Sequence, residues 1–126
     1  VKSDMRQGET YRELTPRLAK LAGGLLVKTI PDFVAGKIKP QEQNHAAATF
    51  TKKFRTEDGQ VDLEKDDPKT VWLKIRAFNP EPGVWTLNYP EHKNKRVKLL
   101  EADLVEGKLK LRQIHVEGKV PVILTK

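Results

Sequence analysis

The sequence predicts an α+β fold: an N-terminal helical segment, then a small antiparallel β unit that contains one helix. Three observations point there. Apolar residues recur at three- and four-residue steps from Tyr11 to Leu25. Asp67–Pro68 opens a second stretch with helical spacing. From Val84 onward, short alternating runs are separated by Glu106–Gly107 and Glu117–Gly118, which is hairpin turn chemistry.

Taken in order, Thr10 and Glu13 form a T-x-x-E capping box, so a helix starts there. Tyr11, Leu14, Leu18, Leu21 and Leu25 line one of its faces. Gly23–Gly24 is expected to break or kink it, with a second helix from Leu25 to about Ala35 turning Leu26, Ile30, Phe33 and Val34 inward. Pro16 and Pro31 each remove a backbone donor, so short pieces are expected, not one rod. Gly36 is the C-cap. Residues 37–44 are polar, basic and without periodicity, a linker between residues 1–36 and residues 45–126.

Beyond the linker, Ala48–Lys52 alternates like a strand, and Glu57–Asp58–Gly59 is a turn whose glycine supplies positive φ. Asp67 caps a helix with Pro68 at its first position. Val71, Trp72, Ile75 and Phe78 form its apolar stripe, and Asn79–Pro80 ends it. Strands are expected at Val84–Tyr89, Arg96–Val105, Lys108–Val116 and Val120–Leu124. In the third of these, Leu109, Leu111 and Gln113 alternate with Lys108, Lys110 and Arg112.

The chain's 126 residues suit one domain, or a domain with an arm from a neighbour. At 37% hydrophobic and 33% charged it is very polar, with a net charge of +7 that favours an anionic partner such as nucleic acid. Without cysteine it has no disulfide, thiol nucleophile or cysteine zinc site, which fits a reducing compartment. Apolar runs such as Leu25–Leu26–Val27 are too short to cross a membrane. His45, His92 and His115 match no metal-ligand spacing. Asp66–Asp67 reads as a helix cap and Glu57–Asp58 as a turn. No catalytic motif and no metal site is present, so no catalytic residue is assigned.

Basic residues are the remaining signal. They cluster as Lys37 and Lys39, as Lys52, Lys53 and Arg55, as Lys93, Lys95, Arg96 and Lys98, and as Lys108, Lys110 and Arg112. The last three share a strand face by the two-residue period. Such a stripe suits a phosphate backbone; it equally suits a solvated face that deters edge-to-edge pairing. Residues 1–43 carry +3 and residues 44–126 carry +4, so a contact surface would span both parts and the linker.

Specific strings sharpen this. Arg76–Gly83, RAFNPEPG, closely resembles the R-x-x-N-P-x-P-G signature of methionyl-tRNA formyltransferases. Ala48–Lys53 and Glu57–Asp62 resemble that family's A-T-Y-A-x-K and E-D-G-x-I-D strings, and Leu18–Gly23, Ile30–Pro31 and Gly36–Gln41 resemble the end of its catalytic domain and the exit linker. Lys95–Leu99 and Val116–Lys119 resemble later strand and turn strings. The likeness runs in order along nearly the whole chain.

The resemblance implies a two-domain parent that transfers formyl from 10-formyltetrahydrofolate to the methionine of initiator methionyl-tRNA. It implies that the chain begins just after the D-x-G strand of the catalytic domain, so that the Asn, His and Asp of catalysis lie upstream and no cofactor is held by these residues. Residues 1–36 would be the last helices of the catalytic domain, and 45–126 a C-terminal β-barrel of the oligonucleotide-binding type. That barrel is expected to be abbreviated, because the family usually has more strands between its K-R-V-K and E-G-K segments. The tRNA-binding set implied is Lys37, Lys39, Lys52, Lys53, Arg55, Arg76, Lys95, Arg96, Lys98, Lys108, Lys110 and Arg112, with Arg76 also open to a structural role. Docking would be electrostatic, without base readout. The expected partners are the tRNA and the chain's own N-terminal catalytic domain; without that domain the apolar helix face is expected to be exposed or paired with something else. A monomer in a bacterial cytoplasm or an organelle matrix is expected, with no membrane. Two alternatives stand beside this: the barrel of another formyl-handling enzyme (a sugar-nucleotide formyltransferase or formyltetrahydrofolate dehydrogenase), or a free-standing RNA-binding module.

Overall fold

The computed structural model describes residues 2–124. Two compact units divide the chain, residues 1–12 with 54–126 and residues 13–53.

Residues 13–53 hold most of helix α1, Tyr11–Val34, a single run of 24 residues. The expected break is absent. Gly23 and Gly24 do not take positive φ, and a helical glycine costs only about 1 kcal/mol against alanine. Pro16 and Pro31 each delete one rung of the hydrogen-bond ladder, and the rungs on either side carry the helix through. Gly36 ends α1 as expected, with φ of 72°. The Gly36 N–H donates to the Phe33 carbonyl (3.0 Å) and the Lys37 N–H to the Asp32 carbonyl (2.9 Å), the paired bonds of a Schellman cap. No residue of α1 is buried, and Leu18, Leu21, Leu25, Leu26, Ile30 and Phe33 are all exposed. After a one-turn 3-10 helix at His45–Ala47, the expected strand at Ala48–Lys52 does not form. Its alternation has no ladder partner, and Phe50 is 92% exposed.

The other unit is two-layered. Helix α2, Pro68–Phe78, packs on a four-stranded antiparallel sheet in the order β1 (Trp85–Thr86), β2 (Val97–Val105), β3 (Lys108–Val116) and β4 (Val122–Ile123). The α+β class is as expected. The sheet is open and does not close into a barrel, because β1 and β4 are only two residues each and pair only with β2 and β3. The core joins Val71 and Ile75 of α2 to Val97, Leu99, Ile114 and Val116 of the sheet, with Val61, Val84 and Tyr89.

Local chemistry accounts for the elements. The Asp67 carboxylate accepts from the Thr70 N–H (2.9 Å) and hydroxyl (3.0 Å), capping α2 ahead of Pro68. Glu106 and Gly107 both take positive φ, 51° and 76°, the requirement of a two-residue type I′ hairpin. Two register shifts, between Leu99 and Glu101 and between Glu101 and Ala102, leave Leu100 and Arg112 as extra residues on β2 and β3. Both strands change parity there. Leu109 and Leu111 point inward at one end of β3, but Ile114 and Val116 do so at the other, which corrects the uniform alternation read from sequence.

Gly59 corrects a second expectation. It lies in a 3-10 turn, Thr56–Gly59, without positive φ. It is glycine because a Cβ there would collide with the Gly83 carbonyl oxygen.

Candidate nucleic-acid interface

One face of the sheet is covered by α2; the other carries the charge. In the pairing of β1, β2 and β3, Trp85 lies opposite Lys98, and Lys98 opposite His115. Paired residues share a face, and Thr86, Val97 and Val116 take the opposite one, fully buried. Trp85, Lys98 and His115 therefore form a row on the outer face. Arg96 joins it, its guanidinium carbon 3.9 Å from the centre of the Trp85 ring. The Trp85 indole N–H donates to the Thr56 carbonyl at 2.9 Å, fixing the ring. His115 Nε2 lies 2.6 Å from the Lys119 carbonyl oxygen and donates to it.

Past the double bulge the outer face continues with Lys110 opposite Asp103 and Lys108 opposite Val105. Arg112 Nε meets the Asp103 carboxylate at 2.5 Å. Lys98, Lys108 and Lys110 are exposed, as is Lys95 beside the row. Two carboxylates, Glu101 and Asp103, interrupt the charge. The face thus collects Lys95, Arg96, Lys98, Lys108, Lys110 and Arg112, and its sign is net positive.

The other sequence-predicted cations lie elsewhere. Arg76 is on α2, against the inner face of the sheet. Its guanidinium donates to the Glu9 carbonyl at 2.6 Å and sits 4.3 Å from the Trp72 ring centre. Arg55 precedes the Thr56–Gly59 turn, exposed. In the unit of residues 13–53, Lys37 pairs with Asp32 at 3.2 Å, while Lys39, Lys52 and Lys53 are exposed.

RAFNPEPG builds the fold. The Asn79 side-chain amide donates to the Leu99 carbonyl (2.8 Å) and the Leu100 carbonyl (3.0 Å), holding β2 at its bulge. Its oxygen accepts from the Val84 N–H at 3.3 Å. A cleft of about 400 Å³ is lined in part by Gln60, Asp62, Asp66, Thr86 and Asn88. Its polar groups satisfy one another: Asp62 accepts from the Asn88 amide (2.7 Å) and from the Glu64 and Lys65 N–H groups, and Asp66 accepts from the Asp62 N–H. The bond from the Glu64 N–H, with further help from Lys65, holds the Asp62 carboxyl below its ordinary value against a smaller opposing effect of desolvation. Among the described residues no group of three His, Cys, Asp or Glu side chains could hold a metal ion. No helix of the described residues is long and apolar enough to cross a membrane.

Sequence reasoning missed Trp85 and His115 as members of the cationic face. Strand parity was the available signal: Trp85 alternates with the apolar Val84 and the small Thr86, and His115 with Ile114 and Val116.

Comparison with known proteins agrees with the architecture. The profile of the formyl transferase C-terminal domain matches residues 53–122. The methionyl-tRNA formyltransferase of Streptococcus equi subsp. equi is 35% identical over 108 residues, covering 86% of this chain and 33% of that protein. That of Koribacter versatilis is 32% identical over 111 residues (88% and 34%), and that of Campylobacter curvus 38% over 101 residues (80% and 30%). The chain spans about a third of the length of these relatives. With more than half of its residues under that profile, the chain belongs to the formyl transferase C-terminal domain family.

Proposed function

We propose that this chain is the tRNA-docking part of a methionyl-tRNA formyltransferase. The whole enzyme would pass a formyl group from 10-formyltetrahydrofolate to the methionine of initiator methionyl-tRNA. The chemistry would belong to a separate catalytic domain of the same protein, which would cover the exposed apolar face of α1; the assembly would act as a monomer in the cytoplasm or an organelle matrix.

The observation that carries this reading is the outer sheet face, where Arg96, Lys98, Lys108 and Lys110 have no ion pair among the described residues. Together with a net charge of +7, it is suited to phosphates, whose neutralisation releases counterions. Lys37, Lys39, Lys52, Lys53 and Arg55 would extend the contact along the RNA. Arg76 has the weakest claim, because the fold already engages its guanidinium.

The test is a tRNA titration at two salt concentrations. Affinity should fall steeply with salt, and Lys98→Gln or Lys110→Gln should each flatten the slope by up to about one. Affinity indifferent to both salt and these substitutions ends the reading.

A further inference from the structure

We propose that the Trp85–Arg96 stack is a seat for one unpaired nucleobase, so that the outer sheet face distinguishes single-stranded RNA from duplex. This rests on the RNA-docking reading and deepens it, since charge alone grips any phosphate backbone equally.

The geometry is that of a stacking platform. Trp85 is partly exposed on the outer face, and its indole N–H bond to Thr56 holds the ring still. Arg96 lies over the ring at van der Waals distance. Its guanidinium is a flat, delocalised cation, partly exposed beside the ring, and such planes accept stacked bases. Among the described residues no carboxylate pairs with Arg96, so no internal acid competes for it. Lys95 and Lys98 flank the stack, both exposed, where the phosphates on either side of a stacked nucleotide need cations. Arg76 over Trp72 offers a contrast: that pair lies on α2 itself, with the Trp72 N–H donating to the Ala102 carbonyl and Arg76 donating to the Glu9 carbonyl. A base inside a duplex is already stacked and has no free face to offer, so only an unpaired one can use the seat.

The experiment measures binding of the 126-residue chain to an RNA duplex with a short single-stranded 3′ overhang and to the same duplex with blunt ends. Arg96→Lys keeps the charge and removes the plane. It should weaken overhang binding roughly 5- to 100-fold, the usual range for losing one stacked base, and weaken blunt-duplex binding far less, because the charge that meets phosphate remains. Trp85→Leu should reproduce the effect, with circular dichroism verifying its fold; Arg96→Lys decides if that fold is lost. Arg96→Lys binding the overhang like the parent, or losing both RNAs equally, overturns the proposal. Salt-dependent binding that is equal for the two parent complexes overturns the stacking alone. Binding of neither RNA overturns both the stacking and the docking reading beneath it.

Discussion

Gly59 and Gly83 meet backbone to backbone: a side chain on Gly59 would fall within the van der Waals radius of the Gly83 carbonyl oxygen. The contact joins two strings that lie apart in sequence, Glu57–Asp58–Gly59 and Asn79–Pro80–Glu81–Pro82–Gly83. Just beyond it, Gln60 bridges Trp85 and the Val61 N–H donates to the Trp85 carbonyl at 2.9 Å. Trp85 thus takes its place on the outer face partly because Gly59, having no side chain, lets the two chain segments touch.

Gly59→Ala should therefore be severe. Backbone cannot swing aside as a flexible side chain can, and the loss should be roughly 2–4 kcal/mol. Gly23→Ala provides the contrast, since its added methyl meets nothing within 4 Å and the site is helical; it should strengthen α1 by up to about 1 kcal/mol. Urea unfolding followed by circular dichroism measures both, and a neutral Gly59→Ala would refute the steric account.

Asn79 ties the end of α2 to the bulge of β2 through the Leu99 and Leu100 carbonyls. Asn79→Ala leaves those partners unmet and should cost about 2–3 kcal/mol. Asn79→Asp should be worse than alanine, because a carboxylate would face two carbonyl oxygens. If denaturant midpoints rank the aspartate variant above the alanine one, the assigned amide orientation is wrong.

Asp67 makes the stability of α2 depend on pH. The Thr70 N–H and hydroxyl bond its carboxylate and hold its pKa below the ordinary 3.8. A lowered carboxyl stabilises the fold fully above the unfolded value, and that contribution is lost as pH falls through the folded value. Asp62 acts in the same direction. Thermal midpoints should hold near neutrality and drop below about pH 4. Asp67→Asn keeps a capping oxygen but cannot titrate, so it should shallow the acid limb with little change at pH 7. An unchanged acid limb would count against the cap.

How much was legible in the sequence follows from how local each signal is. The Asp67 cap, the Asn79–Pro80 stop, the Gly36 C-cap and the Glu106–Gly107 turn were all readable, because each is a contact within a few residues. The strand expected at Ala48–Lys52 failed because a strand exists only with a partner, and alternation cannot say whether one arrives. The break at Gly23–Gly24 failed because glycine and proline weaken a helix without ending it. The parity switch at Leu100 and Arg112 was hidden, since a bulge is a property of two strands together. The cationic clusters were legible as charge, but not the pairing that sets Arg96 on Trp85 and removes Arg76 from the face.

Asp103 offers a test in the opposite direction, a gain. Its carboxylate sits against Arg112 and across the ladder from Lys110, so it lowers the potential of the face where phosphates would lie. The exposed pair contributes little to stability, at most about 1 kcal/mol. Asp103→Asn removes a negative charge without changing shape, and the fold should tolerate it. Polyanion affinity should then rise severalfold at low salt, and the salt slope should steepen, by less than one unit if Arg112 takes up part of an additional phosphate. The gain should fade as ionic strength rises, because an exposed charge is screened beyond about 10 Å at 0.1 M. A matched loss of one carboxylate by Glu64→Gln, outside the sheet, should leave the slope nearly unaltered. Were the two substitutions to shift affinity only in proportion to net charge, the outer face would have no special claim on the RNA.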